Sequence, residues 1–318
     1  MNDIEKSELD TQELQTLEKK NRKEDLKEWA FFRKKELIKN ANIVKQLVIK
    51  SVKVQYRNSV IGIFWTILNP LLNMLVMYLV FSNMFGNRAG ASEVDKATYA
   101  LYLLCGNIVF NMMRTATVQS LPSLVHNRGL LTKNKISFNV FPLSCTLSAL
   151  VNFAFSFIAL LGVMFVVWLQ PGPETSVFSP SIFMVLLMIP ALFLFSYGMS
   201  LILSALYTFF RDILHFYNVF LTLWMYLTPI FYSVEIFDGP GFLSGFMRVI
   251  VHCNPMYYFV EYFRAVVYRW SAHAAVGLES LAPFPGWDLA VLYAIGLGTF
   301  LLGGLIFKST KHRFIYNI

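Results

Sequence analysis

Tyr217, Phe220, Trp224, Thr228 and Phe231 recur at intervals of three or four residues and draw an aromatic stripe along one side of a helix, before and past Pro229. Flat apolar rings of this kind slide along the C–H faces of sugar rings, while Tyr and Trp each keep one hydrogen-bonding group. Phe, Tyr and Trp make up 16% of the chain. Weak contact at many places suits passage better than capture. Asn69, Pro70 and Asn73 stand in another long apolar run, where the proline removes a backbone donor and frees a carbonyl. That segment is expected to kink and to face protein or water more than lipid.

No catalytic constellation accompanies these residues. The chain carries no Gly-rich phosphate loop followed by Lys-Ser/Thr, no paired aspartates for a metal-dependent transferase and no serine elbow. Cys105, Cys145 and Cys253 lack metal-ligand spacing, so neither a zinc site nor a disulfide framework is expected. None of the nine acidic residues after position 60 sits in the middle of an apolar run, which argues against proton or sodium coupling. An uphill process in this chain must draw its energy from elsewhere.

The elements that position these side chains belong to a membrane. Of 318 residues 56% are hydrophobic and 14% charged, with a mean hydropathy of +0.53, whereas ordinary soluble domains carry about 25% charged residues. A water-soluble enzyme is excluded on that ground. The net charge of +8 forms no basic face of the nucleic-acid-binding kind. Residues 1–60 hold 14 of the 27 Lys+Arg and 10 of the 19 Asp+Glu. Residues 1–25 read as a cytoplasmic tail without hydrophobic period, and no cleavable signal peptide is visible. Residues 26–57 read as an amphipathic helix on the membrane surface, with Val44, Leu47, Val48, Val52 and Val54 on one side and Lys45, Lys50, Lys53 and Arg57 around the other.

A hydrocarbon core of about 30 Å needs roughly 20 apolar residues per helix. Six segments meet that requirement: Ile61–Phe85, Ala97–Ser120, Phe141–Leu169, Ser181–Phe210, Ile213–Ser233 and Leu289–Phe307. Between the fifth and sixth, Arg248, His252, Asn254, Pro255, Glu261, Arg264 and Arg269 interrupt an apolar stretch, which predicts two short re-entrant helices turning at Asn254-Pro255 instead of a seventh span. Basic residues set the orientation. The N-terminal 60 residues, Arg128, Lys133, Lys135, Arg211, Lys308, Lys311 and Arg313 fall on one side, against Arg88, Lys96, Arg248, Arg264 and Arg269 on the other. Both termini are therefore expected in the cytoplasm. Arg114, inside the second span, belongs to neither group.

The run Val54-Gln55-Tyr56-Arg57-Asn58-Ser59-Val60-Ile61-Gly62-Ile63-Phe64-Trp65, followed by Leu68-Asn69-Pro70, resembles the start of the first span in permease subunits of type 2 ABC exporters for bacterial surface polysaccharides: O-antigen, capsule and teichoic acid. Asn127-Arg128-Gly129-Leu130-Leu131, Phe210-Arg211-Asp212-Ile213, Thr228-Pro229-Ile230-Phe231-Tyr232, and Asn254-Pro255 with Arg264 are similar, in order, to the family's later motifs. Two features depart from the family: Phe138 is followed by Asn139 instead of proline, and residues 238–245 read as a longer outer insertion.

The resemblance implies an all-α fold of six transmembrane helices, with residues 58–318 as the ABC-2 type transmembrane domain. It implies a multi-pass protein of the bacterial cytoplasmic membrane, paired as a homodimer and served by two copies of a separate ATPase. ATP and magnesium would bind that partner, leaving no cofactor and no metal in this chain. The cargo would be a glycan or polyol-phosphate polymer on an undecaprenyl diphosphate lipid. Trp65, Tyr78, Phe81, Tyr217, Phe220, Trp224 and Phe231 would line the channel. Lys53 and Arg57 would meet the diphosphate at the entrance, since Arg and Lys pair with phosphate oxygens. Arg128, Leu130, Lys133 and Lys135 would couple to the ATPase. Asn69, Pro70, Arg211, Asp212, Pro229, Asn254, Pro255, Glu261 and Arg264 are expected to be structural, with Arg211-Asp212 as an ion pair pinning the turn before the fifth span and Glu261 pairing with Arg264. Alternative readings are an ABC-2 permease for a small amphipathic drug or lipid, and an integral membrane polyprenyl-sugar transferase. The second needs an acidic metal-binding pair that the inner loops lack.

Overall fold

The computed structural model describes residues 37–54, 62–85, 93–133, 136–169, 180–232, 234, 242–268 and 286–317. The chain divides into two units, Met1–Leu47 and Val48–Ile318. In the first, residues 37–47 are helical and form α1; the second opens with helical residues 48–54. In the first unit Val44 is buried, Leu47 half-buried and Lys45 exposed; in the second Val48 and Val52 are half-buried and Lys50 and Lys53 exposed. Val54 departs from that pattern at 56% exposure. The remainder of the expected helix, residues 26–36 and 55–57, lies outside the described residues.

Gly62 stands at φ +57, a conformation glycine adopts without steric cost, and opens a single 3-10 turn, Gly62–Phe64. Helix α2 follows (Trp65–Phe85), continuous through Pro70. Then come α3 (Glu93–Ser120), the short α4 (Ser123–His126) and α5 (Arg128–Lys133), α6 (Val140–Trp168), and α7 (Val185–Phe209) after a 3-10 turn at Pro180–Met184. Helices α8 (Ile213–Leu227), α9 (Phe242–Cys253), α10 (Pro255–Tyr268) and α11 (Gly286–Asn317) complete the order. All regular structure among the described residues is helical. By length and composition, three stretches can cross a membrane, Val140–Val166, Ile182–Phe209 and Trp287–Lys311, and α8 is a shorter apolar helix.

The fifth apolar segment ends earlier than its hydropathy suggests. Residues 213–233 were expected as one helix, but α8 stops at Leu227 because Pro229 pushes the preceding residue out of the helical region: Thr228 has φ −85 and ψ 128. Beyond it the two short helices meet at Asn254 as expected. Pro255 takes the first helical position of α10, where its missing N–H is not needed.

Helix α3 is the centre of the core. Leu103, Leu104, Cys105, Val109, Phe110 and Met113 are buried along it. Around them Phe195 of α7 packs on Phe259 of α10 at 5.4 Å, and Phe153 and Phe157 of α6 meet the Phe263 ring at 6.1 Å each. On α7 the buried Ser196, Ser200, Ser204 and Thr208 repeat every fourth residue, and Ser200 meets Thr146 of α6 at 3.4 Å. Small residues of this kind let membrane helices approach closely.

The α7 and α11 axes approach closer still, through glycine. A Cβ on Gly198 would lie 2.5 Å from the Thr299 backbone, one on Gly296 would lie 2.6 Å from the Ala191 carbonyl oxygen, and one on Gly303 would run into the Gly198 carbonyl. Farther along, Tyr293 donates to the Leu187 carbonyl at 3.0 Å and the Phe209 and Phe314 rings pack at 6.3 Å. Residues 187, 191, 198 and 209 thus meet 293, 296, 303 and 314 in ascending order, so the two helices run parallel.

Candidate transport surface and the clasp at the end of helix α8

A helix that ends inside a packed, apolar structure leaves carbonyls needing partners. At the end of α8 those of Trp224 and Tyr226 find them. The Trp224 carbonyl accepts from the Thr228 N–H at 2.9 Å and from its hydroxyl at 2.8 Å. The Tyr226 carbonyl accepts from the Tyr232 hydroxyl at 2.9 Å. The Ile230 N–H closes on the Thr228 carbonyl at 2.6 Å, a γ-turn around Pro229 that leaves the Pro229 and Ile230 carbonyls pointing away from the helix.

Arg264 of α10 answers those two carbonyls. Its Nη1 donates to Pro229 O at 2.7 Å and to Glu261 Oε1 at 2.9 Å, its Nη2 to Ile230 O at 2.9 Å, and its Nε to Tyr102 O at 3.4 Å. The guanidinium carbon lies 3.5 Å from the centroid of the Tyr102 ring, and the Tyr102 hydroxyl donates to Tyr232 O at 2.9 Å. A buried arginine is tolerable only when its fork is filled this way. Gly106 makes the room: a Cβ there would sit 2.9 Å from Arg264 Nη2 and 3.2 Å from Ile230 Cγ2.

Asn254 fastens the same junction from the other end of α10. Its Oδ1 caps the helix by accepting the Met256 N–H at 3.0 Å and also takes the Trp224 indole N–H at 2.7 Å, while its Nδ2 donates to Thr228 Oγ1 at 2.8 Å. The end of α8, the α9–α10 corner and the first half of α3 are therefore one hydrogen-bonded block. The Glu261–Arg264 pair was legible from its spacing; Tyr102 and Gly106 were not singled out, although a glycine within an apolar run was a usable signal.

The aromatic stripe divides. Tyr217, Trp224 and Phe231 are 6%, 8% and 8% exposed, buried within the chain and not on an open surface. Tyr217 donates its hydroxyl to Thr117 Oγ1 at 2.9 Å, and Trp224 packs edge-on against Phe110. Phe220, stacked between Tyr217 and Trp224, is 47% exposed. With it Phe216, Val219, Leu223 and Tyr226 form the open face of α8. Within the stripe, Tyr217 and Trp224 turn inward with their polar atoms on buried partners and Phe231 is buried beside them, while Phe220 stays outside.

On α2, Trp65 and Pro70 are half-buried, and Asn69 and Asn73 are exposed; the side chains of Tyr78 and Phe81 lie outside the described residues. Lys53 is exposed, while Arg57 lies outside them. Arg128 and Leu130 are exposed on α5, which replaces the expected loop with one and a half turns of helix. Lys133 is helical without a described side chain, and Lys135 lies outside. The expected Arg211–Asp212 ion pair does not form: both side chains are exposed, and no ion pair joins them among the described residues. The turn closes through the backbone instead, with His215 N–H donating to Asp212 O at 3.0 Å.

Residues 43–268 match the family described as ABC-2 type transporter. The O-antigen export system permease protein RfbA of Myxococcus xanthus is 25% identical over 284 residues, covering 89% of this chain and 98% of that protein. Proteins of the same name from Klebsiella pneumoniae are 25% and 24% identical over 265 residues, covering 83% of this chain and 90% of theirs.

Proposed function

Because this chain belongs to the ABC-2 type transporter family and is a multi-pass membrane protein, we propose that it is the permease of an ATP-driven exporter carrying undecaprenyl-diphosphate-linked polysaccharide or teichoic acid polymer across the bacterial cytoplasmic membrane. The observation that carries this reading is the near-full-length likeness to O-antigen export permeases, which takes in the α9–α10 corner as well as the spanning helices. Two copies pair around a pore, and each rests on a separate ATPase subunit that binds ATP and magnesium. The open α8 face of Phe216, Phe220 and Tyr226 supports an aromatic wall, joined by α2. Exposed Lys53, with Arg57, meets the carrier diphosphate at the inner leaflet, and exposed Arg128 and Leu130 of α5, with Lys133 and Lys135, receive the ATPase stroke. Six spans with both termini inside fit the parallel course of α7 and α11.

Deleting the gene is expected to trap lipid-linked polymer inside the cell, and proteoliposomes are expected to release polymer to the far side only when the ATPase and ATP are both supplied. Polymer release by the permease alone, or unchanged surface polymer in the deletion strain, overturns the reading.

A further inference from the structure

Asn107, Asn111 and Arg114 fall at i, i+4 and i+7 of α3, so their side chains share one face. Asn111 and Arg114 are exposed and Asn107 is half-buried, while Ile108, Val109, Phe110, Met112, Met113 and Ala116 around them are buried. No ion pair joins Arg114 to Asp212 or to Glu261 among the described residues, and Glu261 is committed to Arg264. In the six-span reading α3 crosses the membrane, and there an arginine flanked by two amides is unfavourable against lipid. Such a strip belongs against water or a polar guest.

Its depth and neighbours narrow the guest. Arg114 stands six residues, about 9 Å of helical rise, before the end of α3 at Ser120. In the six-span reading this lies in the inner-leaflet half of the span, within reach of an amphiphile anchored in that leaflet. Beside it α8 brings its aromatic wall: the Tyr217 hydroxyl is 3.9 Å from Met113 Sδ, one residue from Arg114, and Phe220 stacks on Tyr217 and faces outward.

We propose that Arg114, with Asn111 and Asn107, is a phosphate-binding site on the transport path. The guanidinium fork takes two phosphate oxygens in parallel, and the amides donate to the remainder. The proposal rests on the exporter reading. The phosphate comes either from the polyprenyl carrier or from phosphodiesters of the polymer, and both chemistries fit one fork.

The full-length chain, held in phosphatidylcholine nanodiscs, is titrated with three probes: undecaprenyl diphosphate, undecaprenol and a soluble glycerol phosphate trimer. Arg114→Gln is expected to weaken a phosphate-bearing probe about tenfold or more, the loss of one charge-assisted pair, leave undecaprenol unchanged, and be partly rescued by Arg114→Lys. Weakened undecaprenyl diphosphate identifies the carrier as the source; a weakened trimer identifies the polymer. Equal binding of every probe by wild type and Arg114→Gln overturns the site. So does equal loss of undecaprenol, which reports a damaged fold. In cells the two readings separate: a deletion strain that still exports overturns the exporter, whereas a deletion strain restored at full rate by Arg114→Gln removes this site alone.

Discussion

Arg264 is stable in its apolar setting because its charge is shared among three carbonyls, one carboxylate and the Tyr102 face. Arg264→Gln strands the Pro229 and Ile230 carbonyls and the Glu261 carboxylate, and is expected to cost about 3–5 kcal/mol, read as a lowered unfolding midpoint of the detergent-solubilised chain. Arg264→Lys should recover only part, since an ammonium has neither the fork nor the plane that lies on Tyr102. The Trp224–Asn254 bond is separable from it by a double-mutant cycle. Trp224→Phe and Asn254→Ala together should destabilise less than the sum of the single changes, by about 1 kcal/mol, because each already breaks the 2.7 Å bond. Additive effects would show that the bond contributes nothing. At this scale the sequence was half legible. Glu261 and Arg264 announce themselves by spacing, but main-chain acceptors more than thirty residues away have no side-chain signature. Likewise a 3.6-residue period draws the Tyr217–Phe231 stripe without saying which way it faces.

Helices end where local chemistry stops them, and most of those stops could be read. Pro255 after Asn254 starts α10 with a capped first turn, and Pro229 cuts α8 at Leu227, where hydropathy alone carried the expected span on to Ser233. What hydropathy could not reveal is which glycines touch a neighbour. Gly303 and Gly298 sit in the same helix, yet a Cβ on the first runs into Gly198 and a Cβ on the second meets nothing within 4 Å. Opposite outcomes are therefore expected from one chemical change. Gly303→Ala forces α7 and α11 apart and should lower the unfolding midpoint, at a cost of about 1–3 kcal/mol. Gly298→Ala adds helix propensity without a clash and should stabilise by up to about 1 kcal/mol. Equal shifts from both would mean that the close approach of α7 and α11 is not what these glycines serve.

The parallel course of α7 and α11 constrains the whole molecule, because the chain must return to its starting side between them. In the proposed six-span topology α8 crosses once after the Phe210–Asp212 turn, so everything from Thr228 to the start of α11 must then begin and end on the same face. A hairpin of α9 and α10 satisfies this; a seventh span does not. Charge points the same way, with Arg211 and Lys311 on the basic side. Single cysteines at Arg211, Trp287 and Lys311, all exposed positions, test it in a background with Cys105→Ala, Cys145→Ala and Cys253→Ala. A membrane-impermeant maleimide added to intact cells should label Trp287→Cys alone, and Arg211→Cys and Lys311→Cys should react only after the membrane is opened. Labelling of Arg211→Cys together with Trp287→Cys from one side would require an additional crossing in 228–285 and would overturn the six-span topology.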